Sequence, residues 1–173
     1  ELLAPRAHSA GLDIAAIVHP DLPARLIGDA GRLRQILFNL AGNAVKFTEQ
    51  GAVLIEARPG AGGKGLELVV RDTGAGVPDH ARARLFNAFS QVSAADARRD
   101  GGVGLGLAIV ARLVDAMKGK VSLSSNWGQG SMFVVELPLD PGPQPPAAAR
   151  IRARRPLKIA FDLQPASRFA IIT

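Results

Sequence analysis

Apolar positions recur at two different spacings along this chain. LDIAAIV, Leu12 to Val18, is almost unbroken and reads as a buried strand, ended by His19, Pro20 and Pro23. From Ala30 to Phe47 the spacing changes to three and four residues, which predicts a helix with Asp29 as its N-cap. Thr48 to Gly51 end it. AVLIEAR, Ala52 to Arg58, and GLELVVRD, Gly65 to Asp72, read as strands joined by the hairpin loop PGAGGK. After the turn-rich DTGAGVP comes a short helix around Asp79 to Phe86. A polar, small-residue loop then spans Ser90 to Gly102. A second apolar helix is expected from Gly104 to Met117, stopped near Gly119. Strands at Lys120 to Ser125 and Ser131 to Leu137 complete the set. Loops separate strands as often as helices do, and no internal repeat appears. The expected class is α+β, a two-layer sandwich, and not a doubly wound parallel sheet.

A helical wheel sorts the residues of the first long helix. Leu33, Ile36, Leu37, Leu40, Ala44 and Phe47 gather on one broad face. Gln35, Asn39, Asn43 and Lys46 gather on a narrower face turned away from it. Taken alone, that narrow face is either the wet side of an amphipathic helix or a ligand surface. It lacks the Glu/Lys mixture of an ordinary wet face, and Asn is a mediocre helix former. Amide oxygens suit magnesium, and a lysine suits phosphate.

Two glycine clusters bear on the choice. DTGAGVP, Asp72 to Pro78, follows a strand directly. Asp72 ends an apolar run, so its carboxylate is expected to be partly buried and to need a hydrogen-bond donor. The exocyclic amine of a base would supply one; an Asx turn is the plain structural alternative. Gly74 and Gly76 would let the backbone turn and approach a ligand. GGVGLGL, Gly101 to Leu107, precedes the second apolar helix, where exposed N–H groups and the helix dipole favour an anion. No strand comes immediately before these glycines, so the dinucleotide-binding context fails. Arg98 and Arg99 in the preceding loop are either phosphate ligands or solvated charges.

Composition narrows the classes. There is no cysteine, which removes disulfides, thiolate catalysis and Cys-based zinc sites and fits a cytosolic setting. No apolar run is long enough to cross a bilayer, no secretory signal opens the chain, and it starts without Met, as a piece of something longer would. The net charge is +6, of which residues 141–173 carry +5 through Arg150, Arg152, Arg154, Arg155, Lys158 and Arg168 against Asp162. Residues 1–140 are nearly neutral. The basic excess therefore belongs to a tail, and RIRARR, with no interleaved aromatics, reads as a solvated linker and not as a nucleic-acid site.

Read together, these stretches resemble the catalytic and ATP-binding domain of a sensor histidine kinase, within the GHKL ATPase superfamily. GDAGRLRQILFNLAGNAVKFTEQG resembles the N box, DTGAGVP the first glycine box, and LFNAFSQ the F box. GGVGLGLAIV resembles the second glycine box, and GQGSMFVVELP the closing strand. The order and spacing agree over residues 1–140. The resemblance implies a Bergerat-type fold, a mixed, mostly antiparallel sheet covered on one face by helices, with ATP between the helices and a flexible lid.

The resemblance also implies roles. Asn43 would bind magnesium, Asn39 would support the metal and its waters, and Lys46 would contact phosphate. Asp72 would accept from the adenine amino group, with Gly74, Gly76 and Val77 around the base. Arg98, Arg99 and the backbone of Gly102, Val103, Gly104, Leu105, Gly106 and Leu107 would hold phosphates. Residues 87–103 would form the lid, with Phe86 and Phe89 packed at its root, and Ser131 would close the site from the last strand. Val103 stands where a hydroxyl is common and Asp100 where an aromatic is, which would remove one phosphate contact and loosen the lid.

Kinases of this family phosphorylate a histidine on a separate helical hairpin. His8, His19 and His80 all lack that context, so the acceptor is expected on another domain of the parent protein. Residues 141–156 read as a Pro/Ala/Arg linker. Residues 157–173 weakly resemble the first strand and helix of a receiver domain, degenerate because only Asp162 is acidic; a docking tail is the alternative. The expected function is phosphoryl transfer from magnesium–ATP to histidine within a hybrid kinase, by a cytoplasmic piece that is monomeric alone. It would pair with the histidine-bearing dimerisation domain and a receiver, without nucleic acid or direct membrane insertion. A nucleotide-sensing pseudokinase is the alternative. A hydrolytic GHKL ATPase is disfavoured, since those enzymes carry a carboxylate at the position of Asn39 and an amide cannot act as a base.

Overall fold

A computed structural model describes residues 3–90 and 104–143, together with the backbone of 158–160 and 170–172. In chain order the elements are α1 Ala4–Ser9, β1 Asp13–Val18, β2 Leu26–Ile27, α2 Ala30–Phe47, β3 Ala52–Pro59, β4 Leu66–Asp72 and α3 Asp79–Arg82. After these come α4 Gly106–Ala116, β5 Lys120–Asn126, β6 Gly130–Leu137, β7 Asp140–Pro141, β8 Lys158–Ala160 and β9 Ala170–Ile172.

A five-stranded sheet in the order β1-β3-β4-β6-β5 forms the frame. β1 runs parallel to β3, and every other pairing in it is antiparallel. Its period-2 alternation sends Leu66, Leu68, Val70 and Asp72 of β4 to one face, with Phe133, Val135 and Leu137 of β6 beside them. Against that face pack Ile36, Leu40, Ala41 and Ala44 of α2 and Val110 and Val114 of α4. α2 and α4 also pack against each other. The expected two-layer α+β sandwich is what the chain adopts.

Local chemistry explains the boundaries. Asp29 caps α2 by accepting the Arg32 N–H at 3.0 Å. The β3–β4 connection turns through a single 3₁₀ turn, Ala61–Gly63, with positive φ at Gly62, Gly63 and Gly65. At Gly65 a side chain would also collide with the Leu137 carbonyl of the neighbouring strand.

Several expectations need correction. β1 is not buried: it is an edge strand with one neighbour, and Val18 is exposed. Its apolar run reflects small residues on a thinly covered edge, not burial on both faces. The helix after the first glycine box lasts four residues and continues only as turns. Phe47 leaves the apolar face of α2 and is half-exposed; Ala41 and Val45, on the flank beside Leu37, are buried in the core. Also unforeseen were α1 and the short β2–β7 ribbon, in which Leu26 and Ile27 pair with Pro141 and Asp140.

The wheel, so corrected, sets two positions of α2 apart. Leu40 is fully buried, so Leu40→Ala should cost about 2–5 kcal/mol in urea unfolding. Phe38 is 52% exposed, and Phe38→Ala should cost no more than about 1 kcal/mol. Equal losses at the two positions would refute the packing of this helix.

Candidate functional site

The polar face of α2 meets the start of α4. A Cβ placed on Gly106 would stand 3.1 Å from Asn39 Oδ1 and 4.0 Å from Asn43 Nδ2. Asn39 is held by its own helix, its Nδ2 donating to Gln35 O at 2.9 Å, so its oxygen is the group turned to Gly106. A glycine here therefore lets a helix N-terminus lie directly against two amides. The first backward bond of α4 is from Ile109 N–H to Leu105 O, and no described residue accepts from the N–H groups of Gly106, Leu107 or Ala108. Among the described residues these donors have no acceptor, as expected of a helix start, with the dipole's positive end behind them. Lys46 sits one turn further along α2, its ammonium 5.1 Å from the centre of the Phe47 ring.

Asp72 lies at the end of β4, 7% exposed. Its Oδ1 accepts the N–H of Gly74 at 2.9 Å and of Ser131 at 3.2 Å. Burial pushes its carboxyl up from 3.8 to about 6, and the two backbone donors only partly offset that. The Asx turn and the buried carboxylate are thus the same feature, and no described residue donates to Oδ2. Gly74 and Gly76 have packing reasons for being glycine. A side chain on Gly74 would strike Phe47 O at the end of α2, and one on Gly76, where φ is +71°, would strike Asn126 O. The loop is clamped between helix and hairpin: Ala75 N–H reaches Phe47 O at 3.3 Å and Gly128 N–H reaches Ala75 O at 2.7 Å. Val77 is buried, with its N–H on Ser125 Oγ at 2.8 Å.

Phe86 packs edge-on against Phe133, with ring centres 6.4 Å apart. Phe89 does not pack at the root of a lid: it is 72% exposed, at φ +63°. Its backbone does the joining, donating to Gly104 O at 3.1 Å. Arg98, Arg99, Asp100, Gly102 and Val103 lie outside the described residues, as does most of the expected lid. Sequence reasoning missed Ser125, Arg82 and the Thr73 hydroxyl, which accepts from Ala52 N–H at 3.0 Å. Ser125 was findable: in KVSLSSN it is the hydroxyl at the end of the inward-facing series Val121, Leu123, Ser125.

α2 thus meets the start of α4 on its polar face and the loop after β4 at its end, which brings the segments of three of the boxes to one helix. Residues 28–141 match the model of the histidine kinase-, DNA gyrase B- and HSP90-like ATPase family. The chain belongs to that family. Within it, the relatives are sensor histidine kinases, and this is their ATP-binding catalytic domain. The chain is 44% identical over 145 residues to the signal transduction histidine-protein kinase BarA of Escherichia coli K12, covering 82% of this chain and 16% of BarA. It is 43% identical over 128 residues to the sensor histidine kinase RcsC of the same strain, covering 74% of this chain and 13% of RcsC. The crystal structure of full-length ShkA in complex with AMPPNP superposes with a TM-score of 0.71 at 48% identity, over 82% of this chain and 28% of ShkA. The chain therefore spans less than a third of each of these proteins.

Asp72 gives this site a pH signature. Its folded pKa is raised, so between about pH 4 and 6 the folded state holds a proton that the unfolded chain has lost. The stability contribution of the neutral carboxyl is complete below 3.8 and is lost as pH rises through 6. Asn keeps the accepting oxygen and never charges. In the absence of nucleotide, Asp72→Asn should gain stability relative to the parent as pH rises from 4 to 7, read as Tm against pH. A difference that stays flat, or reverses, would contradict a desolvated carboxyl.

Proposed function

We propose that this domain binds magnesium–ATP and presents its γ-phosphoryl group to a histidine on a separate helical domain of the same kinase. The observation that carries this reading is the placement of Gly106 against Asn39 and Asn43. It joins a helix N-terminus, which suits phosphate, to two neutral side-chain amides, whose oxygens would suit a magnesium ion. Among the described residues no group of three or more His, Cys, Asp or Glu side chains exists to cage a metal. That fits an ion that keeps its waters and takes its charge partners from the nucleotide. Asn43 would hold it with Asn39 in support, and bound magnesium would neutralise charge on the phosphates. Lys46 and the N–H groups from Gly104 to Leu107 would orient the chain of phosphates, joined by Gly102, Val103, Arg98 and Arg99 from the lid. Asp72 would accept from the adenine amino group, with Gly74, Gly76, Val77 and Ser131 shaping the base pocket and Phe86 and Phe89 at the lid's edge.

In transfer, an unprotonated imidazole nitrogen of the acceptor attacks the γ-phosphorus. The N–P bond forms as the bond to the β,γ-bridging oxygen breaks, ADP leaves, and the proton on the other ring nitrogen passes to solvent. The domain's contribution is positioning and electrostatic stabilisation. An amide at position 39 cannot deprotonate water, which favours transfer over hydrolysis.

The wider context belongs to the same proposal. The domain, residues 1–140, would work in a cytoplasmic phosphorelay, as a monomer when alone, with a histidine-bearing dimerisation domain and a receiver as partners. Among the described residues no helix is long and apolar enough to cross a membrane. Residues 141–156 would be a tether. For residues 157–173 the antiparallel pairing of β8 with β9 favours a docking tail, because a receiver's strands run parallel.

Titration calorimetry of magnesium–ATP tests the site. Asn43→Ala should weaken magnesium-dependent ATP binding by at least about 10-fold, the loss of roughly one charge-assisted contact. Unchanged affinity would refute the metal assignment. Mixing the chain with the parent's helical hairpin should then yield phosphohistidine, whereas binding without transfer would point to a nucleotide-sensing pseudokinase.

A further inference from the structure

Six residues between β4 and α3, Thr73 to Pro78, have no strand or helix of their own. Side chains from outside the family boxes fix their far end. Ser125 Oγ receives the Val77 N–H at 2.8 Å, lies 2.8 Å from Gly130 O and 3.3 Å from Ser131 Oγ. A hydroxyl has one proton and two lone pairs. With Gly130 O taking that proton, the Ser131 hydroxyl becomes the donor in the 3.3 Å contact, and the capacity of Ser125 is filled. Ser131 in turn gives its N–H to Asp72 Oδ1. From the other side Arg82 reaches back: its Nε donates to Val77 O at 3.4 Å and its Nη2 to Ser125 O, while Asp79 holds the same Nη2 at 2.9 Å. Val77 therefore has both its backbone N–H and its carbonyl satisfied by side chains of other elements.

We propose that Ser125 and Arg82 are positioning residues for recognition of the base, holding Asp72 and Val77 in register across the gap between β4 and the β5–β6 hairpin. This rests on the reading that Asp72 meets the adenine amino group. The physical ground is the absence of any ladder here. β4 and β6 are paired up to Asp72 and Ser131, and beyond them the loop has only isolated bonds. Removing the Ser125 hydroxyl leaves the buried Val77 N–H without an acceptor and frees the Ser131 hydroxyl, which loosens the donor on Asp72. Removing the guanidinium takes a donor from two carbonyls at once. Among the described residues neither side chain bonds to α2 or α4, so the effect falls on which base is accepted, not on phosphate binding.

The test measures magnesium–ATP and magnesium–GTP affinities of the full chain by calorimetry, with Tm recorded alongside. The parent should prefer ATP. Ser125→Ala and Arg82→Gln should each narrow that preference by about 5- to 10-fold, the effect of losing roughly one buried hydrogen bond. Ser125→Thr, which keeps the hydroxyl, should restore it. Arg82 is half-exposed, so Arg82→Gln tests the idea even if Ser125→Ala unfolds. A lower Tm with an unchanged ATP-to-GTP ratio in both variants would overturn the proposal and leave the two residues merely structural. A parent that binds both nucleotides equally would instead overturn the assignment of Asp72, and this inference with it.

Discussion

α2 and α4 lie against the same face of the sheet, and they meet where Gly106 faces Asn39. Two unrelated requirements coincide there. The apolar sides of both helices need the sheet, through Ile36 and Leu40 on one and Val110 and Val114 on the other. That shared demand fixes the helices side by side. With no side chain at Gly106, the N–H end of α4 comes against neutral amides and not against a hydrocarbon wall. Hydrophobic burial thus supplies the position, and the glycine supplies the chemistry. A larger residue would force the helix start away from Asn39 Oδ1, which stands only 3.1 Å from where its Cβ would be.

The proposed base end of the site works on the opposite principle. Asp72 belongs to the inward row of β4, where its neighbours are Leu68 and Val70, and it is buried because its strand is buried. The cost appears in its raised pKa, and two backbone N–H groups on Oδ1 moderate it. A carboxyl so placed gains from any further donor, and the exocyclic amine of adenine is such a donor. Gly74, Gly76 and Gly130 make the geometry possible by letting the loop lie between the end of α2 and the β5–β6 hairpin. A side chain on any of them would strike a backbone carbonyl of a neighbouring segment.

Much of this was legible in the residue pattern. The helix wheel separates Asn39, Asn43 and Lys46 from the core side, and the Asp29 cap marks the helix start. What the pattern could not show were facts of tertiary placement. LDIAAIV is as apolar as a central strand, yet β1 is an edge, because sheet order depends on pairings distant in sequence. Phe47 fits the apolar stripe by angle but lies at the last turn of α2, beyond the part of the helix the sheet covers. Phe89 carries an aromatic ring into solvent while its backbone does the useful bonding. Ser125 and Arg82 belong to no box at all, and only the folded loop reveals what they hold.

The central claim is that Asn39, Asn43 and the start of α4 form one phosphate site, with Asp72 at its base end. Nuclear magnetic resonance during a magnesium–ATP titration tests it most directly. The side-chain amides of Asn39 and Asn43 and the backbone amides of Gly106, Gly74 and Ser131 should shift together and saturate at one binding constant, and the Asn43 shift should require magnesium. Shifts confined to one of these elements, with the Asn39 and Asn43 amides unmoved at saturation, would contradict the account.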